Sequence, residues 1–262
     1  MTEPMLLCET DARGVATVTL NRPQIHNAFD DRLIAELHRT FDGLRGDARV
    51  RAVIVTGAGK SFSAGADLNW MQRMAGYSEA ENFADALTMT EMFNALNTLP
   101  MPTIARVQGS AFAGATGLIA AADVAIAADH AQFAITETRI GLIPGAISPY
   151  LLAAIGARAA RRYFLTAERF DAAEAMRIGL VHAAVPAADL DATVEAVVGH
   201  ALQNGPDAIK ACKALIRDVN GPIDESVRRD TAGRIARIRA TPEGREGIAS
   251  FLEKRKPAWV AA

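Results

Sequence analysis

The chain has 262 residues, of which 50% are hydrophobic and 22% are charged, and its formal net charge is −2. This composition supplies enough apolar material for a buried core, and the small net charge gives no general attraction to nucleic acid or to an anionic membrane. Cys8 and Cys212 lack metal-ligand spacing, so we expect free thiols in a reducing, cytoplasmic setting. We expect neither a signal peptide nor a membrane span, because the N-terminus has no basic-then-apolar pattern and Asp123 interrupts the longest apolar run.

Strand and helix patterns alternate up to about residue 186, and helix patterns alone follow. The sequence therefore predicts an α/β core over residues 1–200 and a helical C-terminal subdomain over residues 201–262. The predicted strands are 5–10, 14–20, 50–56, 103–107, 123–128, 132–134 and 180–185, and the predicted helices are 30–44, 68–99, 114–122, 149–155, 157–164, 171–178, 190–203, 206–219, 224–239 and 243–254.

Two loops rich in glycine and alanine, 61–67 and 108–117, are the most informative segments. Each loop follows a strand pattern and precedes a helix pattern, and the scarcity of side chains lets backbone N–H groups approach a ligand closely. Glu137 is the only carboxylate on the short segment that follows the second loop and its helix. The pattern predicts two amides directed at one oxygen atom, which is an oxyanion hole, together with one general acid/base.

Several short motifs follow one another in a recognisable order. They are Leu20–Pro23, Val53–Gly57, Phe62–Leu68, Pro102–Gly109, Ala122–Val124, Gln132–Phe133, Glu137, Gly141–Gly145, Ile155–Gly156 and Ala175–Val181. In this order the chain resembles the enoyl-CoA hydratase/isomerase (crotonase) superfamily over nearly its whole length. The resemblance implies a spiral of ββα repeats, an acyl-CoA thioester substrate without a separate cofactor or metal, and a homotrimer or a hexamer built as a dimer of trimers. It also implies that the C-terminal subdomain serves trimerisation and CoA binding.

The resemblance also implies roles for particular residues. By position in the motifs, the backbone amides of Ala64 and Gly114 would stabilise a thioester enolate, and Glu137 would be the general acid/base. A different interpretation makes Glu137 a surface carboxylate paired with Arg139. The implied CoA contacts are Arg22, Gln24, His26, Ala64, Gly65, Ala66, Asp67 and Lys254. For the basic segment around Lys254, an ordinary solvated helix end is the alternative.

Two departures from the family pattern bear on the reaction. Hydratases of this family usually carry a second glutamate three positions after the oxyanion-hole glycine, and here that position is Gly117. A single carboxylate can move a double bond, so Gly117 favours an isomerase. By contrast, the segment Ile147–Tyr150, together with the segments 63–71 and 115–118, resembles the bacterial methylglutaconyl-CoA hydratase branch. Members of that branch act on branched dicarboxylic enoyl-CoAs. Trp70 and Met71 would then lie near the acyl pocket, or else form an ordinary apolar helix face.

The sequence thus predicts a lyase of fatty acid metabolism or leucine degradation. It would add water reversibly to an α,β-unsaturated acyl-CoA of branched, methylglutaconyl type. One alternative is a Δ3,Δ2-enoyl-CoA isomerase that uses the single glutamate. Another, from a different class, is a catalytically inactive acyl-CoA-binding trimer. No nucleic-acid or membrane partner is expected, because the chain has no lysine-rich helix and is slightly acidic.

Overall fold

The computed structural model describes residues 3–219 and 221–260. The chain forms two compact units, Met1–Ala196 and Val197–Ala262. The functional subdivision predicted at 1–200 and 201–262 stays a prediction, and its first and last residues lie outside the described ones. None of the helices in the described part of the chain has the length and apolar composition that a membrane crossing requires.

Helices and strands alternate along the first unit, which confirms the mixed α/β class. The strands are β1 (Leu6–Thr10), β2 (Val15–Leu20), β3 (Ala52–Gly57), β4 (Ser61–Ser63), β5 (Thr103–Val107), β6 (Ser110–Phe112), β7 (Val124–Ala128), β8 (Gln132–Ala134), β9 (Phe170–Asp171) and β10 (Ala183–Val185). The helices are α1 (Asp31–Gly46), α2 (Leu68–Met74), α3 (Glu79–Asn97), α4 (Gly114–Ala121), α5 (Ser148–Thr166), α6 (Ala172–Ile178), α7 (Leu190–Leu202), α8 (Pro206–Asp218), α9 (Glu225–Ala240) and α10 (Pro242–Leu252).

The larger of two sheets has the strand order β1-β2-β3-β5-β7-β10. The pair β1–β2 is antiparallel, and the other pairs are parallel. Strand β3 reads Ala-Val-Ile-Val-Thr-Gly and is buried along nearly its whole length, as a parallel strand covered on both faces requires. Helix α1 buries Leu33, Leu37 and Phe41 at helical spacing in the same core.

The smaller sheet has the order β4-β6-β8-β9 and holds the segments of greatest interest. Its strands β4, β6 and β8 are parallel neighbours, and each one follows a strand of the larger sheet along the chain. This succession is the spiral of strand–strand–helix repeats that the sequence predicts. Because parallel neighbours end at the same edge, the loops after β4, β6 and β8 lie side by side.

Some predicted elements differ from the observed ones. The predicted helix 68–99 is two helices, because Ser78 caps α3 through a reciprocal pair of hydrogen bonds with Glu81 and so starts a new helix. The predicted strand 180–185 shortens to β10. Within α5, Gly156 has a φ of +69° and interrupts the helix where the sequence predicts a break.

The second unit consists of helical segments in its described residues. Asp224 caps α9 by accepting a hydrogen bond from the N–H of Val227. The carboxylate of Glu243, near the start of α10, accepts hydrogen bonds from the backbone N–H groups of Asp207 and Ala208 in the first turn of α8. A negative charge at a helix N-terminus is favourable, so this contact helps to hold α8 and α10 together.

Candidate active site

Three loops meet at one edge of the smaller sheet. Strand β4 pairs with β6 through Ser63 and Ala111, and β6 pairs with β8 through Phe112 and Ala134. The residues that follow are therefore neighbours in the same order: 64–66, 113–114 and 135–137. The first two loops are in direct contact, since a Cβ atom at Gly65 would lie 2.9 Å from the carbonyl oxygen of Phe112. Only glycine fits there, and its φ of +90° adds a second reason.

Most amides of the first loop are already bonded within the chain. The N–H of Ala64 donates to the carbonyl oxygen of His26 at 2.9 Å, and the N–H of Asp67 donates to that of Phe29 at 2.7 Å. This contact contradicts the prediction that the Ala64 amide binds the thioester oxygen, because its N–H is committed. Ala66 forms a parallel bridge with Phe29 that uses only the flanking residues, so its own N–H has no hydrogen-bond partner among the described residues.

Gly114 supplies a free amide in the second loop for a different reason. It is the first residue of α4, where a backbone N–H has no partner within the helix. The preceding residue, Ala113, has φ 49° and ψ −124°, a backbone conformation that costs a residue with a side chain of order 1–3 kcal/mol. The N–H of Ala113 bonds to the carbonyl oxygen of Ala134 at 2.9 Å, which ties the loop to β8. The strained loop and the helix dipole together favour an anion at this amide.

Glu137 begins a short 3₁₀ turn, Glu137–Ile140, directly after β8. Its Oε2 atom is buried and has no hydrogen-bond partner among the described residues. Burial raises the pKa of this carboxyl above its usual value, and the backbone N–H groups of Glu137 and Thr136 oppose the rise only in part. No ion pair with Arg139 is present among the described residues, so the surface-pair interpretation does not describe this side chain. A desolvated carboxyl with a raised pKa is suited to taking a proton and returning it.

Ile147 fills the space beside Gly117, the position where hydratases of this family usually carry a second glutamate. Gly117 lies in the first turn of α4 and is buried. A Cβ atom there would overlap the side chain of Ile147 and would lie 3.3 Å from Cζ of Phe93. Ile147 is itself 2% exposed. An aliphatic side chain therefore occupies the space that a carboxylate at position 117 would need.

Arg22 does not offer a free cation to a CoA phosphate. Its guanidinium donates to the carbonyl oxygen of Ala28 at 2.9 Å and pairs with the carboxylates of Asp30 at 3.0 Å and Asp67 at 3.3 Å. Its side chain is only 13% exposed. The charge of Arg22 is thus neutralised inside the protein, and its role as a CoA contact stays a prediction. Asp67 is equally committed, since it also caps α2.

The remaining predicted CoA contacts lie in different parts of the structure. Gln24 and His26 are exposed on the loop before α1, and Nδ1 of His26 lies 3.1 Å from Oγ of Ser61. Gly65 and Ala66 lie at the edge described above. Lys254 is exposed at the end of α10, in the second unit. The remaining predictions of CoA contacts also stay predictions; they concern Gln24, His26, Ala64, Gly65, Ala66, Asp67 and Lys254.

Asn27 was not among the predicted site residues. It is fully buried in a left-handed conformation with φ 55°. Its Oδ1 accepts the N–H of Arg22 at 2.9 Å, and its Nδ2 donates to the carbonyl oxygens of Ala58 and Ser61, both at 2.8 Å. Asn27 thus fixes the turn that leads into β4. A sequence signal existed, because an asparagine in a short turn segment after a proline is a usual left-handed residue.

Trp70 belongs to the hydrophobic core. It is 3% exposed, and its indole N–H donates to Oδ1 of Asp85 at 3.3 Å. Burial raises the pKa of that carboxyl. For Trp70, these contacts favour an ordinary apolar helix face over a place in the acyl pocket. Met71, the next residue, is partly buried. No cluster of three or more histidine, cysteine or acidic side chains suited to a metal occurs in residues 3–219 and 221–260.

Known proteins of similar sequence and fold identify the family of this chain. The family model for enoyl-CoA hydratase/isomerase matches residues 10–261. A short-chain-enoyl-CoA hydratase from Clostridium acetobutylicum is 32% identical over 245 residues, covering 92% of each chain. The crystal structure of an enoyl-CoA hydratase from Shewanella pealeana is 42% identical with a TM-score of 0.95 and covers 98% of this chain and 96% of its own. That of an enoyl-CoA hydratase from Mycobacterium smegmatis is 36% identical with a TM-score of 0.92 and covers 99% and 100%. The crotonase-type fold is thereby confirmed, and the chain belongs to the enoyl-CoA hydratase/isomerase family.

Proposed function

We propose that this protein adds water reversibly to an α,β-unsaturated acyl-CoA, with Glu137 as its single acid/base. The observation that carries the proposal is the buried, unpartnered Oε2 of Glu137 at the same sheet edge as two unbonded amides, those of Ala66 and Gly114. Leaving such groups unsatisfied is costly in a folded protein, so a bound molecule is expected to complete them. A thioester oxygen that gains negative charge fits two N–H donors, and a reacting proton fits the carboxyl.

The proposed reaction balances with this one carboxyl. The Glu137 carboxylate takes a proton from a water molecule while the water oxygen bonds to the β-carbon of the substrate. The electrons of the carbon–carbon double bond move toward the thioester, whose oxygen becomes an enolate held by the Ala66 and Gly114 N–H groups. The Glu137 carboxylic acid then donates its proton to the α-carbon, the thioester re-forms and the carboxylate is restored. In comparable sites, one donor to such an oxygen is worth about 2.7–4 kcal/mol.

We infer further that the substrate is branched, of the methylglutaconyl type. The support is the resemblance of Ile147–Tyr150 to that branch. In addition, the Ile147 side chain occupies the space that a side chain at position 117 would need. An aliphatic wall in place of a second carboxylate makes this part of the site less polar, which suits a substrate with an alkyl branch. The CoA thioester is proposed to be the only carrier that the reaction needs, and leucine degradation is the route that such a substrate suggests.

The rival proposal is an isomerase that moves a double bond from the 3-position to the 2-position. The observation in its favour is that Ile147 leaves Glu137 as the one carboxyl identified at the site in the described residues. An isomerase needs only one group, which removes a proton from one carbon and returns it to another. An inactive acyl-CoA-binding protein is disfavoured, because burying an unpartnered carboxyl without a chemical use lowers stability.

The deciding experiment uses water labelled with ¹⁸O. The protein is incubated with methylglutaconyl-CoA, with straight-chain crotonyl-CoA and with a 3-enoyl-CoA, while the conjugated thioester absorbance and the product masses are followed. We expect a 3-hydroxyacyl-CoA that contains ¹⁸O, formed fastest from methylglutaconyl-CoA. Double-bond migration without ¹⁸O in any product would favour the isomerase. No reaction with any substrate would favour the binding protein.

We also propose that the chain assembles as a homotrimer or as a dimer of trimers in the cytoplasm. The second unit exposes large apolar side chains, which mark an interaction surface when they are this numerous. They are Ile216, Ile223, Ile235, Ile248, Phe251 and Leu252. Native mass spectrometry would test the assembly, and a monomer at micromolar concentration would contradict it.

A further inference from the structure

A cavity of about 760 Å³ lies between α5 and α6, away from the loops of the candidate active site. Four arginines line it: Arg158, Arg161, Arg162 and Arg177. On α5, Arg161 and Arg162 follow Arg158 by three and four residues, so both lie beside Arg158 on the helix surface. Four guanidinium groups thus surround one cavity of a chain whose net charge is only −2.

Two of the four arginines are neutralised within the chain. Arg177 forms a two-pronged ion pair with Glu174, at 2.5 and 2.6 Å, and Arg162 forms one with Glu168, at 2.7 and 3.2 Å. Glu174 also accepts a hydrogen bond from the buried hydroxyl of Tyr163. These donors lower the pKa of Glu174 to about 2, with the Arg177 hydrogen bonds as the largest cause. The carboxylate therefore stays charged and holds its partners in place.

The other two arginines have no such partner. No carboxylate in the described residues lies within ion-pair distance of Arg158 or Arg161, although both side chains line the cavity and are exposed. Like charges at neighbouring helix positions repel each other. A bound anion would relieve this repulsion, and arginine is the residue whose planar group matches phosphate oxygens with paired hydrogen bonds.

The rest of the lining narrows the class of ligand. Ile155, Ala159 and Ile178 contribute an apolar wall beside the charged groups. We propose that this cavity binds a polyphosphate anion that carries an apolar or aromatic group, with a nucleoside diphosphate as the simplest example. The phosphates pair with Arg158 and Arg161, and the base or other apolar part covers Ile155 and Ile178. This site is separate from the candidate active site and does not depend on the proposed reaction.

Equilibrium binding of inorganic pyrophosphate and of ADP, measured by calorimetry on the full chain, tests the proposal. We expect saturable binding of both anions, tighter for ADP because of the apolar wall. The double substitution Arg158→Gln with Arg161→Gln should weaken binding by at least about tenfold, since a charge-assisted hydrogen bond contributes roughly a factor of ten or more. Binding should also weaken as salt is added.

Two controls distinguish binding in this cavity from binding at another basic surface of the protein. Arg32→Gln with Arg39→Gln removes the same charge from exposed positions of α1 and should leave binding unchanged. Lys254→Gln tests whether pyrophosphate binds instead at the predicted CoA contacts, to which Lys254 belongs; binding in the cavity itself should not change. The proposal is overturned if the Arg158/Arg161 variant binds as tightly as the wild type, or if Lys254→Gln removes the binding. It is also overturned if neither anion binds. A change of oligomeric state in the Arg158/Arg161 variant would then assign the cavity to contacts between copies of the chain.

Discussion

Asp67 and Glu137 both follow a strand of the smaller sheet, yet their carboxylates have opposite surroundings. Oδ1 of Asp67 accepts the N–H of Asn69 at 2.8 Å, and its Oδ2 pairs with Arg22. Oε2 of Glu137 is buried without a partner among the described residues. The difference separates two uses of one functional group. The Asp67 carboxylate, which accepts hydrogen bonds from within the chain, stabilises the loop that it belongs to. The unpartnered oxygen of Glu137 is available to a bound molecule.

The largest expected effect comes from removing the titratable group of the unpartnered carboxyl. Glu137→Gln preserves the shape of the side chain, so turnover should fall by about 10²–10⁴, the range that general acid/base catalysis supplies. Substrate binding, measured as the dissociation constant of an acyl-CoA, should change little. Glu9→Gln on β1, an exposed position, serves as the control and should retain wild-type turnover. Turnover of Glu137→Gln within a few-fold of wild type would show that another residue moves the proton.

A second substitution asks whether the free amide of Gly114 acts together with the free carboxyl. Gly114→Pro deletes the N–H at a helix position where proline is otherwise tolerated. We expect turnover to fall by about 10²–10³, the loss typical of one oxyanion-hole donor. Gly114→Ala keeps the N–H and serves as the matched control. Its Cβ atom would lie 2.8 Å from Cε of Met89, the end of a flexible side chain, so its loss should be smaller. Equal activities of the two variants would refute the role of this amide.

Asp67→Ala examines the partnered carboxylate. Loss of the cap of α2 should lower the free energy of unfolding by about 0.5–2 kcal/mol. Arg22 also loses one of its carboxylates, which adds to the cost. Asp224→Ala removes a cap from α9 that has no such arginine and should therefore cost less. Urea unfolding followed by circular dichroism measures the free energy of unfolding of both variants. An equal or larger decrease for Asp224→Ala would show that the Asp67–Arg22 pair does not add to the stability.

The smallest expected effect is a pH dependence of stability. Because burial raises the pKa of Glu137, folding favours its protonated form. The stabilising contribution of this proton is complete below the unfolded pKa, about 4.3, and is lost as pH rises through the folded pKa. Glu137→Gln should therefore be more stable than wild type near pH 7, and the difference should shrink as the pH falls toward 4. A difference that does not vary between these pH values would show that titration of Glu137 is not its cause.

Much of the fold and the site could be predicted because the responsible signals are local. The two small-residue loops and Glu137 stood out from their positions after strand patterns, and the break in α5 followed from Gly156. Within the second loop, the resemblance to the family singled out Gly114. Strands β4 and β6 escaped prediction because each lies within a segment rich in glycine, alanine and serine, a composition that indicates a loop. They nevertheless create the edge that joins the three loops.

Other parts of the site depend on contacts between distant segments, which a sequence pattern does not encode. The loop 61–67 was located correctly, but the choice between the amides of Ala64 and Ala66 depends on which N–H the neighbouring segment around His26 and Phe29 already takes. The same holds for Arg22, whose partner Asp67 lies 45 residues later in the chain. In both cases the residue type is compatible with two roles, and only its tertiary partners decide between them.

The packing of Ile147 against Gly117 limits how this protein can evolve. Gly117→Glu alone would drive a side chain into Ile147, while Ile147→Ala alone would open a cavity beside Phe93. A return to two carboxylates thus requires two substitutions, each of which is harmful without the other. Positions 117 and 147 are therefore coupled, and a double-mutant cycle of Gly117→Glu with Ile147→Ala should give a free energy of unfolding well above the sum expected from the two single variants.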